Sequence, residues 1–453
     1  MTCWCGFTAT PPSRRTCVGS RGRCVRRPGD TGGGGRSACS PTAGWRQYGC
    51  SRGGGVRMPE VSVIIPTHNH ACYLPEAIES VLDQTYRDFE AIVVDDGSSD
   101  NTQDVVTCFG TRVVYIRQEN RGSPAARNTG IRASAGEYVA FLDADDWFLP
   151  HKLQIQAAYL DRHPSIGLVA SGWIETDVYG KTLRTVKPWL SNRPFLLAEC
   201  VLGVPLVVHC VLVRRAWLEA VGLFDESIRW AEDFDLWLRL LADGCRFAWL
   251  PEVVCRRRFH GQNMSYSPKH MLDGSIAALD KLYARTDLPL NVQQLRNLAY
   301  AMAHMGAIAR ACNQGLLDEA YHYLEQAIEI EPALLFGHPC RLIEALVGWS
   351  DHSTVTDRQK YLDALLYVLS GKVYSVERQL RKAMARLHMG HVFTEWASGE
   401  VRTLHSELLK ALWLDPSWLL NRGVLSIAVR SFLYRIGYID AARRKGVGDE
   451  TFC

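Results

Sequence analysis

The chain predicts an α/β domain built on a mostly parallel sheet, followed by an all-α region. Three observations carry this. Between Val61 and Leu142, β-rich runs alternate with stretches of helical spacing, the pattern of strands joined by crossover helices. Three of the runs end in loops rich in Asp, Asn and Thr. Beyond about residue 290 the apolar spacing turns wholly helical.

Val61-Ser62-Val63-Ile64-Ile65 reads as the first strand, stopped by Pro66. A helix follows over Leu74 to Thr85, with Pro75 at its start and apolar residues at Leu74, Ala77, Ile78, Val81 and Leu82. Phe89 to Val94 is the second strand, and Ser98-Ser99-Asp100-Asn101 supplies N-cap chemistry for the second helix. Val113 to Ile116 is the third strand, Ser123-Pro124 opens the third helix, and Tyr138 to Leu142 is the fourth strand. That last run is apolar on both faces, as a central strand should be, and then meets Asp143, Asp145 and Asp146. Further on, Glu232-Asp233 opens a helix closed by Gly244, and another helix spans Met271 to Arg285.

The chemistry lies in the loops after the strands: Pro66-Thr67-His68-Asn69, Asp95-Asp96-Gly97-Ser98 and Asp143-Ala144-Asp145-Asp146. In an open α/β sheet these share one edge, where ligands bind. No G-x-G-x-x-G follows the first strand and no G-x-x-x-x-G-K-[ST] occurs, which disfavours a dinucleotide site and excludes a P-loop. Phosphate handling then falls to a metal held by carboxylates, which suits Mg²⁺ or Mn²⁺.

Charge is unevenly placed along the 453 residues. Residues 1–57 hold ten Arg, no Lys and one acid, Asp30, together with 13 Gly and 6 Cys. Such a composition buries too little apolar surface to fold, so this stretch reads either as a basic disordered extension or, as preferred here, as sequence ahead of a start of translation at Met58, where a strand follows almost at once. It has no apolar core of a secretory signal. The remainder carries 41 basic against 47 acidic residues, which does not suggest a nucleic-acid binder. The six early cysteines lack C-x-x-C spacing, and the other nine sit singly among apolar neighbours, as buried thiols of a cytoplasmic protein would. The longest apolar run, Phe195 to Val213, is interrupted by Glu199, Pro205 and His209, and reads as domain core rather than a membrane span.

The stretches "VSVIIPTHNHACYLPEAIESVLDQTY", "FEAIVVDDGSSDNT", "NRGSPAARNTGIRASAGEYVAFLDADDWF", "VLVRRAWLEAVGLFDESIRWAEDFDLWLRL" and "RRRFHGQNMS", in this order, resemble glycosyltransferase family 2, whose members have the GT-A nucleotide-sugar fold. The resemblance covers about residues 60–265. It implies a GT-A domain over 58–289; residues 290–453, beyond the resemblance, read from their helical spacing as a separate α-helical, tetratricopeptide-like domain. It also implies transfer of a sugar, with inversion, from a nucleotide-diphospho-sugar, a UDP-sugar by preference, to a hydroxyl of a glycan or lipid-linked acceptor.

The resemblance assigns roles residue by residue. Asp143 and Asp145 match the family's D-x-D, placing Asp145 on a divalent metal and Asp143 on the metal or the ribose; Asp146 is left to cap the next helix. Asp96 matches the carboxylate that reads the base, with Pro66, Thr67 and Asn69 lining the same nucleotide-sugar pocket. Arg127 reads two ways, facing the nucleotide or bracing the sheet edge. Asp233 matches the general base and Glu232 its neighbour at the acceptor. His260 matches a histidine that completes the metal shell or touches the diphosphate, with Arg258 near the diphosphate charge and Arg214-Arg215 on the surface.

Two stretches of the helical region align at a constant offset of 84 residues: His304-Met305-Gly306 with His388-Met389-Gly390, Gly315 with Gly399, Ala327 with Ala411, and Pro332 with Pro416. They resemble tetratricopeptide hairpins, whose partner the sequence does not identify. The basic, amphipathic segment from Arg422 to Gly446 either lies on an anionic membrane face, giving peripheral contact at the inner surface, or packs on the bundle. A noncatalytic sugar-nucleotide-binding scaffold and a nucleotidyltransferase are the rival functions.

Overall fold

The computed structural model describes residues 58–435, apart from 192–193, 205, 262, 353–354, 356 and 399–402. The expectations for residues 1–57, including Met58 as the start, lie outside the described residues, as do Gly399 of the repeat and the end of the basic C-terminal segment.

Nine strands form one sheet: β1 Val61–Thr67, β2 Phe89–Asp96, β3 Val114–Gln118, β4 Tyr138–Phe141, β5 Trp147–Phe148, β6 Leu168–Thr176, β7 Thr182–Val186, β8 Val211–Arg214 and β9 Phe247–Arg258. Their order is β3-β2-β1-β4-β8-β6-β9-β5, with β7 paired to β6 outside that path. The sheet is mixed rather than mostly parallel. β1 to β4 pair in parallel as expected, but β8 is antiparallel to both β4 and β6, and β5 and β7 are antiparallel to their partners. Two reversals across β8 leave β6 parallel to β4, and β9 is parallel to β6. The C-terminal ends of β1, β2, β4 and β9 therefore meet at one edge, and so does the N-terminal end of β8.

Pro66 does not stop β1, which continues to Thr67. Ile64 O accepts the Leu142 N–H at 3.0 Å, so even-numbered positions of β1 face β4. β4 pairs only as far as Ile64–Phe141, so the missing proline N–H falls where no partner strand requires it. The first helix is Leu74–Leu82, shorter than predicted; beyond it the buried Gln84 side chain donates to Ser80 O at 3.0 Å and Leu149 O at 2.8 Å. The second, Thr102–Thr107, is capped from Asp100, whose Oδ1 accepts the Thr102 N–H at 3.1 Å. Helices Ser123–Ala133 and Glu232–Ala242 start where expected, and Gly244 at φ +88° closes the second in the left-handed region open to glycine.

The apolar run from Phe195 divides into a helix, Leu197–Cys200, a turn, Val208–Cys210, and β8. Among the described residues no helix is long and apolar enough to cross a membrane. Two of the later cysteines depart from the expected burial: Cys72 and Cys108 are exposed, whereas six others are buried. Arg214 and Arg215 are not free surface residues either. Arg214 donates to Ile166 O at 3.0 Å and Leu160 O at 2.8 Å, and Arg215 to Gly136 O at 2.6 Å and Ile131 O at 2.9 Å, so each guanidinium ties one loop carbonyl to one in the last turn of a helix.

After Pro268–Tyr283 the chain is helical. Helices Arg296–Gln314 and Leu317–Ile330 pair as one hairpin, and Val376–Ser398 and Leu404–Leu414 as another, at the offset seen in the sequence. Pro332 and Pro416 each open a short 3-10 turn after the second helix of its hairpin. A shared core of Cys200, Leu238, Leu279, Leu282, Val292 and Ala299 joins the helices to the sheet-bearing part.

Candidate active site

The first two loops are knitted together by their own polar groups. Asn69 adopts φ +57°; its N–H donates to Ser98 Oγ at 3.0 Å, and its Oδ1 accepts the Ser99 N–H at 2.8 Å. Asp96, 4% exposed, accepts from Gln118 Nε2 at 2.7 Å, the Arg121 N–H at 2.9 Å and the Gly122 N–H at 2.7 Å. Three of about four acceptor positions on a carboxylate are thereby used, so Asp96 shapes the loop ahead of helix Ser123–Ala133. Thr67 Oγ1, in contrast, is buried without a hydrogen-bond partner, at the end of β1 beside this wall.

Asp145 and His260 meet: Nε2 lies 2.8 Å from Oδ2. Asn263 stands 3.4 Å from the same oxygen, and the Tyr73 ring stacks on His260 at 5.3 Å between centroids. Ligand-type atoms of His70, Asp145 and His260 lie within 4.8 Å of one another. A carboxylate with two imidazoles is a donor set for a first-row transition ion; Mn²⁺ can take it, whereas Mg²⁺, which asks for oxygen ligands, fits it less well. His70 is new to this group; it stands one position past Asn69 in the first loop, so the motif placed it nearby without marking it.

Asp143 does not join that group. Its Oδ1 accepts from Arg127 Nη2 at 2.8 Å, and its Oδ2 is 3.9 Å from His209 Nδ1. Burial would raise the Asp143 carboxyl, but Arg127 and then His209 outweigh it and hold it well below the usual carboxylate range. Asp146 caps no helix. Its Oδ1 accepts the Arg258 N–H at 2.7 Å and its Oδ2 lies 3.0 Å from His209 Nδ1. Burial, then the charges of Asp145 and Asp143, push Asp146 well above the usual range. His209 is 1% exposed, and its position just before the reversed strand β8 brings it to this edge. Within an apolar run, nothing in the sequence signalled that.

Arg127 is buried and bridges the two halves of the site. One amino group pairs with Asp143 and the other with Glu232, while its guanidinium lies 5.4 Å from the Phe224 ring centroid. Ala231, immediately before, adopts φ +54°, a left-handed conformation that costs a non-glycine residue energy. It turns the chain so that Glu232 and Asp233 begin the helix. Asp233 Oδ1 accepts the Phe234 N–H at 2.8 Å, and burial, followed by the Glu232 charge, raises its pKa to about 6. Arg258 is occupied elsewhere: it pairs with Glu76 and lies over the Trp147 and Tyr73 rings, at 4.6 and 4.7 Å.

The model of the family described as Glycosyl transferase family 2 matches residues 62–222. An uncharacterized glycosyltransferase of Rickettsia typhi is 33% identical over 225 residues, covering 48% of this chain and 69% of that protein. Chondroitin synthase of Escherichia coli is 31% identical over 213 residues, 46% of this chain but 30% of that protein. Among solved structures, S. aureus TarS 1-349 covers 68% of this chain and 90% of its own, at 20% identity and a TM-score of 0.47. The chain belongs to glycosyl transferase family 2, and its mixed sheet with the helices that follow is a GT-A domain continued by a helical region.

Proposed function

We propose that this protein is a metal-dependent, inverting glycosyltransferase that moves a sugar from a nucleotide-diphospho-sugar, a UDP-sugar by preference, to a hydroxyl of a glycan or lipid-linked acceptor. The observation that carries the reading is one sheet edge with two kinds of acid. On one side Asp145 stands with His260 and His70, a divalent-metal donor set; on the other Asp233 has a carboxyl raised toward neutrality.

Asp233 takes the proton of the acceptor hydroxyl, as a base with a pKa near the working pH does best. The acceptor oxygen then bonds to the anomeric carbon, the bond from that carbon to the diphosphate oxygen breaks, and the nucleoside diphosphate leaves with the electron pair. Asp145, His260 and His70 would hold a divalent ion, Mn²⁺ rather than Mg²⁺ by this donor set, whose charge would offset that developing on the diphosphate. Arg127 keeps Glu232, and through it the Asp233 turn, in register with Asp143. Thr67, Asn69, Pro66 and Asp96 line the nucleotide side, and the unpaired Thr67 Oγ1 supports a polar ligand there. The reading places the protein in the cytoplasm, with peripheral contact at the inner face of the membrane; six buried free thiols support the first part.

The test is release of nucleoside diphosphate from a panel of UDP- and GDP-sugars, with acceptor glycans, in Mn²⁺, Mg²⁺ or chelator. Metal-dependent turnover of one donor is expected. Metal-dependent donor binding without turnover on any acceptor would favour the scaffold reading, and neither binding nor turnover would overturn both.

A further inference from the structure

A second group of ligand-type side chains lies in the helical region. His388 and His391 are three positions apart on helix Val376–Ser398 and so share a face. Glu407 comes from the next helix, Leu404–Leu414. Both imidazoles turn Nδ1 toward one oxygen: His388 Nδ1 is 2.6 Å, and His391 Nδ1 3.2 Å, from Glu407 Oε2. The other nitrogen of His391, Nε2, lies 2.7 Å from Asp351 Oδ2, in the turn Trp349–Asp351.

Two imidazole nitrogens and a carboxylate oxygen are a donor set for Zn²⁺ and similar ions. A metal-ligating histidine usually gives its other N–H to a carboxylate, which fixes the ring and its tautomer; Asp351 stands where His391 would need that partner. Asp351 Oδ2 is buried and 2.7 Å from Nε2 with no hydrogen bond of its own, so it can take that N–H; the His391 Nδ1 lone pair then faces Glu407 Oε2 with a proton or a cation between them.

The internal repeat adds an independent observation. Moved back by 84 positions, His388 falls on His304, but His391 falls on Ala307 and Glu407 on Tyr323. Ala307 and Tyr323 are both buried in the apolar core, and His304 Nδ1 bonds the Tyr300 carbonyl of its own helix at 2.8 Å. The first hairpin thus closes this joint with apolar packing. The second replaces that packing with a partly exposed histidine and a mostly buried carboxylate, and the carboxylate costs free energy to bury and needs a reason to be there.

We propose that His388, His391 and Glu407 bind a single Zn²⁺-class divalent ion, with Asp351 orienting His391 from behind. Glu407 Oε1 is held by Lys410 at 2.8 Å and Asp351 by Arg358 at 3.2 Å, leaving Glu407 Oε2 as the ligand atom. A water completes the tetrahedron on the partly exposed side of His391; the proton that His388 Nδ1 shares with Glu407 moves to His388 Nε2, and any proton between His391 and Glu407 passes to solvent. The ion ties the two helices of the second hairpin together. It also reaches the sheet, because Arg184 of β7 donates to the Asp351 carbonyl at 2.6 Å. Its role is structural, and the inference does not depend on the proposed transfer activity.

The test uses the full chain carrying Asp145→Asn, stripped with chelator and titrated with Zn²⁺ by calorimetry, with thermal melting alongside. Glu407→Gln and His391→Ala are each expected to remove one equivalent of bound Zn²⁺ and the rise in melting temperature it brings. Asp351→Asn is expected to weaken that equivalent by about 10- to 100-fold. Other Zn²⁺ binding, from the early cysteines or the sheet edge, is unaffected by these changes and cancels in the comparison. His391 is 40% exposed, so its alanine variant folds even where Glu407→Gln does not. Equal Zn²⁺ stoichiometry and melting in parent and His391→Ala, or no Zn²⁺ binding in the parent, would overturn the proposal.

Discussion

His260 Nε2 lies 2.8 Å from Asp145 Oδ2, across 115 residues of chain. The contact exists because β9, which carries His260 just past its end, runs the same way as β4, which carries Asp145. Replacing either partner should therefore weaken the same event. Asp145→Asn and His260→Gln are each expected to raise the Kd of UDP in Mn²⁺ by about tenfold or more, with little change in chelator. Calorimetry with and without metal reads this, and an unchanged Mn²⁺-dependent Kd would remove the pair from the metal site.

Asp233 separates binding from chemistry. Asp233→Asn keeps the shape of the side chain and removes the base, so turnover should fall by about 10² or more while donor affinity holds. The pH dependence has a definite sign. The raised carboxyl is ionised above about pH 6 and protonated below it, so kcat/KM should fall as pH drops through that value. The residual activity of Asp233→Asn should lack this limb. A variant that kept it would point to Glu232.

Arg127 is the single cation between Asp143 and Glu232 described in this bridge. Arg127→Met removes the cation that Glu232 and Asp143 share, leaving Asp143 only the His209 ring at 3.9 Å, and removing one member of a buried ion pair costs about 3–5 kcal/mol. The expected result is a clear drop in denaturant midpoint together with lower turnover; Arg127→Lys, with one donor group in place of the fork, should fall between. Unchanged stability in Arg127→Met would show that the bridge is not closed in solution.

Gly274 tests how the catalytic turn is supported. A Cβ there would sit 1.9 Å from the Trp230 carbonyl oxygen, one residue before the left-handed Ala231. Trp230 also stacks on His270 of the same helix at 4.4 Å. Gly274→Ala should push this turn and shift Glu232 and Asp233, costing about 1–3 kcal/mol as overpacking does. Turnover should drop more than donor binding, since Glu232 and Asp233 follow this turn directly. Full activity with full stability would show that the turn has room to move.

The sequence by itself determined the strands up to β4, the acid-bearing loops at their ends, the helix opened by Glu232-Asp233, the helical repeat and the family. These follow from apolar period and from short motifs, both properties of residues close in the chain. Only the tertiary structure decided which acid faces which partner. Asp145 turns to His260 and His70, Asp143 to Arg127, and Asp146 to the Arg258 amide and His209, although all three acids lie within four positions. The mixed sheet was hidden for the same reason: the reversal at β8 depends on pairing across the sheet, and it is that reversal that brings His209 to the edge. Likewise, His388, His391 and Glu407 are ordinary helix residues until two helices pack and turn them toward one another. Partner choice is a through-space matter of burial and charge, and no local period encodes it.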